Sequence, residues 1–163
     1  MAEEQAAEQA AEPAAQPQFS IEKLYVKDIS LESPNTPELF LERSAPEVEL
    51  KLQNQARQAG EGLFEVQLTV TLTAKVGERT AYLVEVAQAG LFRISNVTED
   101  MLGMILQITC PTILFPYARE AVSDLIGRAG YQPIYLAPVN FEQLYQQQRE
   151  QQAQAAAAPA TVQ

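Results

Sequence analysis

The sequence predicts an α+β fold, a four-stranded antiparallel sheet with Greek-key-like connections followed by two helices. Two observations carry this. Four segments between Phe19 and Phe92 alternate apolar and polar residues at period two, and beyond Phe92 the period becomes helical. Short connections between the later strands make antiparallel neighbours the natural pairing.

The first strand, FSIEKLYVKDISLE, places Phe19, Ile21, Tyr25, Ile29 and Leu31 on one parity and Glu22, Asp28, Ser30 and Glu32 on the other. SPNTPELFLERSAPE then holds three prolines, which deny a ladder donor, so it is expected to be a connecting loop carrying the apolar residues Leu39, Phe40 and Leu41. EVELKLQ turns Val48, Leu50 and Leu52 away from Glu47, Glu49 and Lys51. After a turn at Gly60 and Gly62, FEVQLTVTLTAKV sets Phe64, Val66, Leu68, Val70, Leu72 and Ala74 against Glu65, Gln67 and three threonines. VGERT makes a tight turn, and the fourth strand returns with Tyr82, Val84 and Val86 on one face and Leu83 and Glu85 on the other.

Thr98 is the expected N-cap of the first helix, with Glu99 and Asp100 suited to its positive end. Pro111 and Pro116 are expected to kink or break it, and Gly127 or Gly130 to end it. A loop, YQPIYLAPVN, leads to the last helix, where Phe141, Leu144 and Tyr145 share a face. Residues 2–18 consist of Ala, Glu, Gln and Pro, and nothing there repays the entropy of ordering. The domain expectation is a disordered arm over 1–18, one folded domain over 19–149 and a flexible Gln/Ala-rich tail over 150–163, with the reservation that Ala and Gln can extend a helix before Pro159.

Lys and Arg number 11 against 21 Asp and Glu, a formal charge of −10 that disfavours nucleic acid and anionic membrane surfaces as partners. The N-terminus carries acid where a secretory signal carries Lys or Arg, and the lone Cys110 closes no internal disulfide, so a reducing cytoplasmic location is expected. The longest apolar stretch, around Met101 to Leu114, is interrupted by Gln107, Thr109 and Pro111, and no membrane span is expected.

There is no histidine, no second cysteine, no GxxxxGK[ST] run and no GxGxxG loop. Catalytic triads and zinc therefore have no residues to build them, nothing marks an energy-consuming nucleotide site, and no metal or cofactor is expected. The acid pairs Glu47 with Glu49 and Glu99 with Asp100 read as a solvated strand face and a helix start, and Cys110 as a small buried hydrophobe. Two features go beyond an ordinary soluble domain. Strand parity gathers Glu22, Asp28, Glu32, Glu47, Glu49, Glu65 and Glu85 against Lys51 and Lys75 on an outer, acidic sheet face, where Leu83 beside Glu85 resembles a docking spot for a basic, partly apolar partner. The loops also carry a surplus of apolar groups, Leu39, Phe40, Tyr131, Ile134, Tyr135 and Leu136, which suggests an apolar groove or an oligomer interface.

TILFPYAREAVSDLIGRAGYQP with LAPVNFEQLY resembles the helical half of the SecB family of protein-export chaperones, and LYVKDISLESPNTPELF resembles its first strand and crossover loop. The resemblance runs from Phe19 to about Tyr145. It implies a homotetramer, a dimer of dimers, with sheets outside and helices between them. It also implies apolar grooves that hold unfolded secretory preproteins without ATP, and hand-over to the SecA motor for export across the inner membrane. Carried over by position, Asp28, Glu32, Leu83 and Glu85 match the SecA-contacting surface, and Val84, Val86 and Gln88 match positions associated with tetramer assembly. Phe40, Phe115, Tyr117 and Tyr135 are the expected preprotein groove, although Ser44 stands where the familiar member has tryptophan. Three alternatives stay open: a SecB-like chaperone serving a toxin–antitoxin system, a carboxylate hydrolase, and a purely structural oligomer.

Overall fold

A stripe of residues four apart, Cys110, Leu114, Ala118, Val122 and Ile126, is fully buried, and it lies on a sheet face built by Val66, Leu68, Val70, Leu72, Val84, Val86 and Phe92, also fully buried. A spacing of four keeps apolar side chains near one helix face, and period two does the same in a strand, so the two patterns meet in a single core. The computed structural model describes residues 15–157. Its strands are β1 (Gln18–Glu32), β2 (Glu47–Gly60), β3 (Leu63–Val76) and β4 (Arg79–Ser95). The helices are α1 (Glu99–Met104), α2 (Cys110–Arg128) and α3 (Phe141–Ala157), with a π-helical segment, Ile105–Thr109, joining the first two. The sheet order is β1-β4-β3-β2 with every pair antiparallel. That is the expected Greek-key-like topology: β2, β3 and β4 form a meander, and β1 reaches β4 through a long crossover.

The crossover is pinned across the sheet end, where the Asn35 side-chain amide donates to the Thr80 carbonyl at 2.9 Å and Ser33 Oγ donates to the Ala81 carbonyl at 3.2 Å. Leu39, in a 3-10 turn at Glu38–Leu41, is thereby tucked into the core. β1 departs from the expected parity. Bulges between Ile21 and Lys23 and between Val26 and Asp28 each add one residue, so the inward set is Phe19, Ile21, Leu24, Val26, Ile29 and Leu31, opposite the inward residues of β4. Tyr25, expected inward, pairs with Ala89 on the outer face. A one-residue slip reverses every side chain beyond it, and two slips restore the original parity.

Thr98 caps α1 as expected, its hydroxyl accepting from the Met101 N–H at 3.3 Å. The expected break does not occur. Helical structure continues from Glu99 to Arg128, because the Cys110 N–H reaches back to the Ile105 carbonyl in a π turn just where Pro111 lacks a donor. Asn54 on β2 donates to the Leu106 carbonyl at 3.1 Å, supplying a partner at the same turn. By length and composition alone this 30-residue helix is long and apolar enough to cross a bilayer. Its buried stripe instead packs on β3 and β4.

Gly130, at φ +86°, ends α2. Its N–H reaches the Gly127 carbonyl at 3.1 Å, and the Tyr131 N–H reaches that of Ile126 at 3.2 Å, so the last carbonyls are satisfied. Asn140 Oδ1 accepts from the Gln143 N–H at 3.0 Å and starts α3, which runs on to Ala157. Of the expected tail, residues 150–157 are therefore helical; residues 1–14 and 158–163 of the expected arm and tail lie outside the described residues.

Gly90 faces inward beneath the Phe92 ring, where an added Cβ would lie 2.6 Å from the ring and 3.1 Å from Leu24. Phe92 is fully buried and stacked against Phe19 at 5.8 Å between centroids, which restricts its retreat. Gly90→Ala should lower stability by about 2 kcal/mol through overpacking, measured by urea denaturation with an unchanged m-value. A loss below about 0.5 kcal/mol would mean that the ring moves aside freely.

Candidate docking face and client groove

The sheet face turned away from the helices carries both signs of charge, segregated by end. Toward the β2–β3 turn lie Lys23, Lys27, Arg57 and Arg93 with Glu22 and Glu65; toward the β3–β4 turn lie Asp28, Glu32, Glu47, Glu49 and Glu85 with Lys51 and Lys75. The expected acidic face is thus acidic at one end. Parity counting missed Lys23 and Lys27 because the β1 bulges set their orientation, and it passed over Arg57 and Arg93.

Three of the four cations at the basic end, Lys27, Arg57 and Arg93, are paired with its two carboxylates. The Glu65 side chain, 6% exposed, accepts from Tyr25 Oη at 2.5 Å, from Lys27 Nζ at 2.9 and 3.0 Å, and from Arg57 Nε at 2.5 Å. Ala87 and Ala89 allow this, since their small side chains on the intervening strand let Tyr25 and Lys27 cross from β1 to β3. These bonds, led by that from Tyr25, hold the Glu65 carboxyl down at about 2. Burial, reinforced by Glu65, pushes the Tyr25 phenol up to about 12. Glu22 similarly takes Arg93 at 2.8 Å.

At the acidic end the four sequence-predicted docking residues come together. Glu32 lies directly opposite Leu83, Ser30 opposite Glu85, and Asp28 opposite Ala87, so two neighbouring strands present all four on one face. Glu85 accepts from the Thr71 hydroxyl at 3.0 Å, and among the described residues Asp28, Glu32 and Glu85 form no ion pair. Leu83 is half-buried between them.

Val84, Val86 and Gln88 occupy the opposite, inward side of β4 and are buried. The four expected groove residues do not form one site. Phe115 is a core residue, 4% exposed, packed edge-on to Phe141 at 6.0 Å. Tyr117 is exposed on α2, and Tyr135, 81% exposed, borders a shallow hollow with Pro116, Arg119 and Glu120.

Phe40 begins an aromatic ladder, with centroids 5.0 Å from Tyr131 and Tyr131 4.9 Å from Tyr82. Tyr131 Oη donates to the Ala81 carbonyl at 3.2 Å, fixing the middle ring. Beside it opens a hollow of about 370 Å³ lined by Pro46, Val48, Tyr82, Tyr131, Pro133 and Ile134. Tyr131 and Ile134 were visible in the sequence as surplus apolar loop residues; the contributions of Val48 and Tyr82, both on regular strands, were not. Cys110 is buried, its thiol pushed up to about 12 by burial, and no metal-binding cluster occurs among the described residues.

Comparison with known proteins matches residues 12–152 to the model of a family described as preprotein translocase subunit SecB. The chain belongs to the SecB family. It is 60% identical over 139 residues to the protein-export protein SecB of Dechloromonas aromatica, covering 85% of this chain and 91% of that protein. With the protein-export protein SecB of Methylobacillus flagellatus it shares 54% over 155 residues, covering 95% and 96%. It is a protein-export chaperone by family. A solved SecB-like chaperone of Mycobacterium tuberculosis, in complex with an antitoxin peptide, shares the fold with a TM-score of 0.60 at 20% identity, over 74% of this chain and 87% of that one.

Glu65 links three strands, so its ionisation is coupled to folding. Its carboxyl falls from 4.5 to about 2 on folding, so the added stability is fully present above pH 4.5 and is lost as pH falls toward 2. With Lys27 and Arg57 substantially solvated, this increment should be about 2 kcal/mol. Urea denaturation between pH 5 and pH 2 should show Glu65→Gln losing less stability than the parent over this interval. Parallel curves would show that Glu65 is no more stabilised as an anion folded than unfolded.

Proposed function

We propose that this chain is an ATP-independent holdase of the cytoplasm, which binds unfolded secretory preproteins, keeps them translocation-competent and delivers them to the SecA motor. Family membership supports the chaperone role, and the observation that carries client binding is the Phe40–Tyr131–Tyr82 ladder beside its open apolar hollow. Such a surface binds extended chains through shallow apolar contacts with little sequence preference, and slow folders present those segments longest. Tyr117 and Tyr135 are exposed enough to extend the client surface along α2, whereas Phe115 acts through the core. No step of this cycle calls for a cofactor or for covalent chemistry at the chaperone.

The working form is a homotetramer, a dimer of dimers. β1 is a 15-residue edge strand whose inward residues Phe19, Ile21, Val26 and Ile29 remain 40–47% exposed, and the Glu99–Arg128 helix exposes Met101, Met104 and Tyr117. An uncapped edge and an apolar helix face together favour pairing with further copies. Val84, Val86 and Gln88 bear on assembly through the core that supports β1, since Val84 pairs with Leu31, Val86 with Ile29 and Gln88 with Val26. The SecA surface is the acidic end of the outer face, Asp28, Glu32 and Glu85 around Leu83, which suits a basic, partly apolar partner.

Light scattering should give a mass near 72 kDa, four times the 18.0 kDa chain, rising when a reduced, unfolded preprotein is added and unchanged by its folded form. A monomer, or a tetramer blind to the unfolded chain, would defeat the holdase reading. Asp28→Ala with Glu85→Ala should weaken SecA binding by about tenfold, equivalent to 1.4 kcal/mol, while mass and client uptake stay at parental values. Loss of the tetramer instead would place these residues at a subunit contact.

A further inference from the structure

The two ends of the outer face differ in how their charges are disposed. Lys27, Arg57 and Arg93 at one end are held by carboxylates, while Asp28, Glu32, Glu47 and Glu85 at the other form no ion pair among the described residues. Lys27 stands at the border. It is the extra residue of the second β1 bulge and the immediate neighbour of Asp28, so its flexible ammonium can add to Lys51 and Lys75 in neutralising the acidic end. It points the other way, donating to both oxygens of Glu65 across β4.

We infer that Glu65 is a positioning residue for docking: by holding Lys27 across Ala87 and Ala89, it keeps that cation off the acidic end and leaves Asp28, Glu32 and Glu85 free for a basic partner. The inference rests on the reading of that end as the SecA surface and adds to it a residue that touches none of the partner. Three structural features converge on it. The bulge turns Lys27 outward, alanines at 87 and 89 open the path over β4, and Tyr25 with Arg57 fixes the carboxylate that receives it. Without Glu65, Lys27 would be free to turn toward Asp28, its neighbour in the chain, and a partner's cation would then have to displace it.

The experiment titrates full-length protein with purified SecA and reads affinity, with client uptake as the measure of intact fold. Glu65→Gln should bind SecA about tenfold more weakly, yet in a Lys27→Met background the same change should alter affinity by less than about twofold, because the cation it restrains is gone. Glu22→Gln removes one negative charge at the basic end and releases Arg93, far from the docking acids; it should leave affinity within about twofold of the parent. Glu65→Asp preserves net charge while withdrawing the carboxylate by one methylene, so it should weaken binding too and serves if Glu65→Gln fails to fold. Equal weakening by Glu22→Gln would assign the effect to net charge and overturn the inference. So would an undiminished loss in the Lys27→Met background, or parental affinity in both Glu65 variants. If the parent itself does not bind SecA, the docking reading fails and this inference with it; parental binding with unaffected Glu65 variants removes the positioning role alone.

Discussion

The packing of one helix stripe on the middle of the sheet determines most of what this molecule can do. Cys110, Leu114, Ala118, Val122 and Ile126 cover β3 and β4, and a single helix about 10 Å wide cannot also cover β1 and β2, which flank them. The centre is therefore dry while the flanks keep apolar residues in contact with water, Phe19, Ile21, Val26 and Ile29 on one side and Val48 and Leu50 on the other. For an isolated enzyme this would be a liability. Under the proposed function, one flank suits a copy of the chain and the other a client.

The helix reaches this position because its prolines are accommodated. Pro111 follows a π turn whose carbonyls find partners in the Cys110 N–H and Asn54, and the Thr112 hydroxyl donates to the Ile108 carbonyl at 2.6 Å before Pro116. Continuity from Glu99 to Arg128 carries the buried stripe along the sheet and delivers Gly130 beside Phe40, so the aromatic ladder begins where the helix ends. Helix termination and the start of the aromatic ladder are thus the same local event.

The outer face shows how a sheet can separate charges that its strands interleave. Lys27 and Asp28 are adjacent in the chain, yet a bulge and two alanines send Lys27 to Glu65 and leave Asp28 with the opposite end. Coulomb attraction at the rim of a solvated face is weak pair by pair, but Glu65 is buried, accepts from three side chains at once and is correspondingly specific.

The strands, their inward residues on β2, β3 and β4, the Thr98 cap and the α+β class were all legible in the sequence, because period two and period 3.6 follow from local geometry and are written residue by residue. The resemblance carried by FPYARE and LAPVNF located the family on the same footing, and Asp28, Glu32, Leu83 and Glu85 were legible as a group because β1 and β4 keep odd–even order at that end. The reversal of Tyr25 and Lys27, the burial of Phe115, the unbroken helix over Pro111 and the meeting of Phe40 with Tyr131 were settled by tertiary structure alone. Each depends on a partner distant in sequence: Glu65 for the bulged strand, Phe141 for Phe115, Asn54 for the π turn, and the end of α2 for the ladder. Local periodicity specifies which way a side chain points only while the register is regular, and register is a property of two strands together.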